Sequence, residues 1–179
     1  VSQRLLHIPK PVRAGFFEFD EDADGVHIRN IRWEEDQDGP IRIYKEPEKG
    51  RPYVVGGDTA GDGSDWFVAQ VVNNLTRKQA AVLRRKNDED AFACEAMALG
   101  YWYNTALLGI EANFSTYPIK TAERLCYPYQ FMREQEDSYT HRPQKKWGFR
   151  TTIQTRPIIL AELVRLVREQ PELICDAQT

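Results

Sequence analysis

Two apolar runs in this 179-residue sequence are six residues long and close on a carboxylate: Tyr53-Val54-Val55-Gly56-Gly57-Asp58 and Ala106-Leu107-Leu108-Gly109-Ile110-Glu111. Runs of this length suit buried strands, which belong in the middle of a sheet. If the two strands are adjacent and parallel, their terminal acids converge. Carboxylates in that position repel and lose hydration unless a cation sits between them. Hard oxygen donors at an open site suit Mg²⁺ or Mn²⁺, ions that keep several waters and bind substrate phosphate. Taken singly, Asp58 also suits a turn, and Glu111 also suits a cap on a helix opening within 113–118. Gly56-Gly57, which let backbone approach closely, and Asp65, re-entering at the next strand, favour the paired reading.

The segments around these runs predict an α/β layer with a mixed sheet. Residues 53–58, 65–73 and 79–85 form an antiparallel meander, its first two strands joined by the loop 59–64. Asp88 caps a helix over 89–104, with Phe92, Ala96, Leu99 and Tyr103 on one face. Ser115 or Thr116 opens a second helix, Pro118 in its first turn, running to about Leu125. Residues 133–150 read as polar and irregular. A third helix starts near Thr155, with Ile159, Leu163, Leu166 and Val167 inward, and ends at Pro171; 173–175 read as a last strand. Ahead of all this, 15–19, 26–29 and 40–45 read as strands of hairpins separated by Asp/Gly clusters. Residues 20–25 copy the opening of a calcium loop, but Ile28 and Ile31 stand at its ninth and twelfth positions, so the stretch reads as a solvated turn.

Composition narrows the function. The length points to one domain. With 24 Lys plus Arg against 27 Asp plus Glu the net charge is −3, which excludes holding nucleic acid by overall charge, so any such contact is local. Hydrophobic residues at 41% argue against disorder. The uncharged stretch 96–110 is too short to span a bilayer, and residues 1–20 carry no secretory signal, so no membrane association is expected. Val1 in place of Met suggests a piece of a longer chain. Cys94, Cys126 and Cys175 show neither disulfide nor zinc spacing, which fits a reducing, intracellular setting.

Four segments in order carry a resemblance to a known family. They are Val55-Gly56-Gly57-Asp58-Thr59-Ala60-Gly61-Asp62-Gly63-Ser64-Asp65; Gly109-Ile110-Glu111-Ala112-Asn113; Lys146-Trp147-Gly148-Phe149-Arg150-Thr151-Thr152 leading to Thr155-Arg156-Pro157; and the lead-in Gly39-Pro40-Ile41-Arg42-Ile43-Tyr44. Over about residues 31–179 the sequence resembles the C-terminal nuclease domain of the large terminase subunit of tailed phages. The resemblance implies a ribonuclease H-like mixed five-stranded sheet flanked by helices (51–179), preceded by an N-terminal hairpin extension (1–50). It implies a two-metal endonuclease, using Mg²⁺ or Mn²⁺, that cuts concatemeric viral double-stranded DNA during packaging in the bacterial host cytoplasm. Asp58 matches the family's first-strand acid and Glu111 its central-strand acid; Asp65 matches an accessory acid. Lys145, Lys146, Arg150 and Arg156 are the candidates for phosphate contacts, with a solvated loop as their alternative. The family's third acid follows a segment not found before Thr179, so the resemblance places it beyond that residue and implies weak or no activity for this stretch alone. The partners implied are the terminase ATPase domain, the small terminase subunit and the portal protein. No G-x-x-x-x-G-K-[ST] motif is present, so motor activity lies elsewhere.

Two other readings remain at this point. Asp58-Thr59-Ala60-Gly61 is similar to the first phosphate hairpin of the sugar kinase and actin superfamily, which needs two lobes and a second phosphate loop that this length does not supply. A non-catalytic DNA-binding or assembly module could share the fold. Integrases and junction resolvases share the acids with different spacing.

Overall fold

The computed structural model describes residues 9–22, 25, 27–59, 65–86, 88–137 and 139–178. Its centre is the expected meander: β4 (Tyr53–Asp58), β5 (Trp66–Asn73) and β6 (Gln79–Lys86), all antiparallel. The β5–β6 turn is fixed by Asn73, whose Oδ1 accepts from Leu75 and Thr76 N–H at 3.0 Å each. Of the expected loop 59–64, residues 60–64 lie outside the described residues.

α1 (Glu89–Trp102) follows, and Asp88 caps it as its sequence position predicts, Oδ1 accepting from Ala91 N–H at 2.8 Å. Phe92, Ala96 and Leu99 face one side of the sheet, with Phe92 tilted onto Phe67 and Tyr103 edge-on to Tyr53. The chain then enters β7 (Leu107–Ile110), which pairs in parallel with β4. A crossover helix supplies the length that a parallel connection needs. α2 (Tyr117–Arg124) packs against α1 and carries Pro118 in its first turn.

The sheet has seven strands, not five, in the order β2-β1-β3-β6-β5-β4-β7. To the four strands β4–β7 the N-terminal segment adds three: β1 (Arg13–Glu21), β2 (Ile28–Glu35) and β3 (Ile41–Ile43), the last joining the outer side of β6. Phe17, Ile28, Ile41 and Ile43 enter the same core as α1. The β2 span differs from the expected 26–29 because a bulge breaks its alternation. Between Glu18 and Asp20 the register slips by one residue on β2, and Asn30 takes φ 51°. The slip lets Ile28 point to the core along with Ile31 and Trp33, which are out of phase with it in sequence. The turn before β2 closes with Gly25 N–H on Asp22 O at 2.8 Å; residues 23, 24 and 26 of the calcium-like stretch lie outside the described residues.

Three further expectations are corrected. Residues 133–150 are not irregular: β8 (Met132–Glu136) and β9 (Pro143–Trp147) form a separate hairpin. Both faces of this ribbon are polar, so no hydrophobic alternation announces it; opposed pairs such as Glu134 and Lys145 take that place. Residues 173–175 are not a strand. A 3-10 turn at Pro171–Leu173 leads to Cys175 and Asp176, whose N–H groups both donate to Gln79 Oε1 (2.7 and 2.8 Å), so a side chain replaces the ladder. α3 (Thr155–Glu169) starts where expected, but Ile159 and Leu163 are exposed, as are Ile158, Leu160 and Val164, and none of its residues is buried. Among the described residues no helix is long and apolar enough to cross a membrane.

Candidate active site at the ends of β4 and β7

Parallel pairing of β4 with β7 settles where the two acids go. Gly56 faces Gly109, Gly57 faces Ile110, and Glu111 N–H donates to Gly57 O at 2.7 Å. Asp58 and Glu111, one step further on each strand, therefore leave the same face of the sheet at the same end. The return from the β8–β9 hairpin braces this end: Phe149 N–H donates to Ile110 O and Ala112 N–H to Phe149 O, each at 2.8 Å. Gly148 makes that return possible. Its φ is 82°, and a Cβ there would lie 2.8 Å from Ile110 O.

The Glu111 carboxyl is near enough to Asp58 to bear on its protonation. Asp58 is pushed up to about 6, first by burial against the cavity walls, then by the hydrogen bond and charge of Glu111, with a smaller push from Asp65; the Thr59 N–H opposes the shift. Asp58 keeps solvent contact at one edge while its neighbours strip part of its hydration. A cation beside the two acids would relieve the repulsion that helps raise Asp58, and the all-oxygen donor set fits a divalent ion. Among the described residues no cluster of three or more His, Cys, Asp or Glu is formed.

Both acids open into a cavity of about 1020 Å³. Arg156, in the first turn of α3, lines it as well. Arg150 does not; it lines a neighbouring cavity of about 750 Å³ under the hairpin. Lys145 and Lys146 stand exposed on β9 and line neither. Asp65 is exposed just ahead of β5 and reaches the pair through its charge. Arg84 of β6 also lines the larger cavity and was not singled out from sequence. The signal was present in the alternation: Asp58 pairs with Val68, and Val68 with Arg84, so all three share a face.

Solved structures carry the same arrangement of strands and helices. The large terminase nuclease from thermophilic phage G20c matches with a TM-score of 0.52 and 14% identity, covering 80% of this chain and 69% of its own. The same nuclease with bound magnesium matches at 0.57 and 12% identity, covering 80% and 68%. Its zinc-bound form also gives 0.57 at 12% identity, covering 80% and 75%. The fold is that of the large terminase nucleases. No protein-family model and no curated protein sequence matches the chain, so this likeness is one of structure. In the terminase nuclease fold, which is ribonuclease H-like, β6-β5-β4-β7 form the central sheet here. The residues after β7 supply two isolated bridges in place of a fifth strand, Leu108 with Gln130 and Glu111 with Phe149.

Proposed function

We propose that this chain is a metal-dependent DNA endonuclease domain of a phage large terminase, cutting concatemeric double-stranded DNA during genome packaging. The observation that carries the reading is the meeting of Asp58 and Glu111, distant in sequence, at the ends of adjacent parallel strands inside one cavity. Asp58 and Glu111 would hold Mg²⁺ or Mn²⁺, with Asp65 as an accessory acid. The bound ions would polarise the scissile phosphate and lower the pKa of an attacking water. Arg156, which lines the same cavity, would contact phosphate there, and Arg150, Lys145 and Lys146 would contact DNA further out. The partners that follow from the reading are the terminase ATPase domain, the small terminase subunit and the portal protein, in the cytoplasm of a bacterial host. The likeness of fold and the magnesium-bound form of the G20c nuclease support it.

The test is nicking of supercoiled plasmid with Mn²⁺. Cleavage that disappears in Asp58→Asn and Glu111→Gln, with both variants still folded, supports the reading. Two results would overturn it: nicking that survives both substitutions, or thermal stabilisation by ATP without any DNA cleavage.

A further inference from the structure

The sheet face that bears Asp58 continues away from α3 into a surface of different character. Trp66 opens β5 and is 54% exposed. It pairs across the ladder with Lys86, whose ammonium lies 5.2 Å from the centre of the indole ring. One row closer to the acids, Val68 pairs with both Asp58 and Arg84. Strand spacing puts Arg84 about 10 Å from Asp58, and the Trp66–Lys86 row about 7 Å further along the strands. Arg84 itself is fixed: Asp176 and Gln178 accept its two terminal nitrogens, and Tyr44 donates to the other oxygen of Asp176 at 2.8 Å. Beside it Lys10, Arg42, Trp66 and Arg84 border a cavity of about 440 Å³. Arg42 spends its donors on the carbonyls of Gln37, Gly39 and Ile41, and among the described residues no carboxylate forms an ion pair with Arg42 or Lys86.

We infer that Trp66 and Lys86, backed by Arg84 and Arg42, are a track for DNA on the side of the acidic pair opposite Arg156. The inference rests on the nuclease reading and extends it, because the track lies on the meander and not on the basic segment 145–156. Its occupant is one strand of duplex DNA. A protein with net charge −3 must attract phosphate through local cations, and Arg42, Arg84 and Lys86 stand on one face of the sheet with the exposed ring of Trp66 among them. The indole gives an apolar platform for a deoxyribose or base edge, and its π face holds the Lys86 ammonium outward, ready for a phosphate. Asp176 neutralises most of Arg84, which leaves Lys86 and Arg42 as the charges that attract the backbone. Asp65, adjacent to Trp66, directs that backbone toward β6.

Duplex binding measured by fluorescence anisotropy, with Ca²⁺ replacing the catalytic ion and over a series of salt concentrations, tests the track. Lys86→Gln is expected to lower affinity about fivefold and to reduce the slope of log K against log salt by about 0.9, and Lys86→Arg to restore both. Trp66→Ala is expected to weaken binding about tenfold, while Trp66→Phe keeps most of it. Both residues are exposed, so melting temperature should hold. An unchanged slope in Lys86→Gln, with a reduced slope in Lys145→Gln or Lys146→Gln, overturns the track and leaves the nuclease reading standing. Failure of the unmodified protein to bind duplex overturns both.

Discussion

Removing the carboxylate of Glu95 should cost about as much as truncating a large core side chain on the covered side of the sheet. Glu95 projects from α1 and is 5% exposed. Arg85 of β6 meets it in a bidentate pair, Nε donating to Oε2 at 2.7 Å and a terminal nitrogen to Oε1. The hydrogen bond with Glu95 holds the guanidinium above its ordinary value, against a desolvation that acts the other way. Breaking a buried pair by removing one partner costs about 3–5 kcal/mol, because the other charge is stranded. The Arg85 side chain is 28% exposed and can regain some water, which puts Glu95→Ala near the lower end, about 3 kcal/mol. For a chain of this size that corresponds to a fall in Tm of about 6–12 °C. Replacing both partners, Arg85→Met with Glu95→Leu, should recover most of the loss, since an apolar pair strands no charge. Urea unfolding of the two single variants and the double variant closes the cycle. If Glu95→Ala lies within about 1 kcal/mol of the parent, or the double variant is as unstable as the single, the pair does not fasten α1 to β6 as described.

Two further outcomes separate the chemistry from the fold. A Cβ at Gly56 meets nothing within 4 Å and would stand in the cavity beside the acids, whereas one at Gly57 would lie 3.2 Å from Ile110 Cγ1 and 3.4 Å from Phe92 Cζ. Gly56→Val should therefore leave Tm equal or higher, since valine favours a strand, while plasmid nicking falls about tenfold or more. Gly57→Val should cost about 1–3 kcal/mol by overpacking, read from the same melts. The second outcome concerns pH. Asp58 holds its proton to about pH 6 in the folded chain and to about 3.8 when unfolded, so its contribution to stability falls as pH rises through that window. A divalent ion removes the carboxylate repulsion, so stabilisation by Mg²⁺ should be present above pH 6 and fade below it as protons compete. Melts across pH 4–8 with and without Mg²⁺ check the sign, and Glu111→Gln should shift the window downward.

Much of this architecture was legible in the sequence because burial and periodicity agreed there. Residues 53–58 and 106–111 are apolar runs closed by acids, and Asp88 precedes a helical apolar face, so strand, strand and capped helix each have a single good solution. The acidic pair was readable for a different reason: a parallel neighbour is the arrangement that gives both carboxylates a common purpose. What escaped had no periodic signal. The β8–β9 ribbon is polar on both faces, β2 carries a bulge that shifts its apolar phase, and the segment after Pro171 is held by the Gln79 side chain. The inward face expected of α3 was inferred from helical spacing alone. Spacing shows that one side is apolar; it does not supply a surface to cover it.

The two sides of the central sheet divide the labour between stability and chemistry. Along 53–58, 66–71 and 81–86, before the register shift of β5 on β6, successive positions point to opposite sides of the sheet. Val55, Val71 and Ala81 form one cross-strand row under α1, Gly57, Ala69 and Leu83 form the next, and Phe67 and Arg85 share that side. Of the intervening positions, Gly56, Asp58, Val68 and Arg84 line the larger cavity, Trp66 borders the smaller one, and Lys86 stands beside Trp66. A bulky apolar side chain such as Val or Phe is tolerated under α1 because it removes apolar surface from water, and a carboxylate is tolerated there when an arginine answers it, as Arg85 answers Glu95. On the other side the same backbone presents charges that have little packing role to lose. Substitutions at alternate residues of one strand should therefore fall into two classes. Changes at 67 and 85 should move Tm, and changes at 66 and 86 should move DNA affinity at constant Tm. A mixed pattern, with Lys86→Gln lowering Tm as much as Arg85→Gln, would mean that the open face is not open in solution.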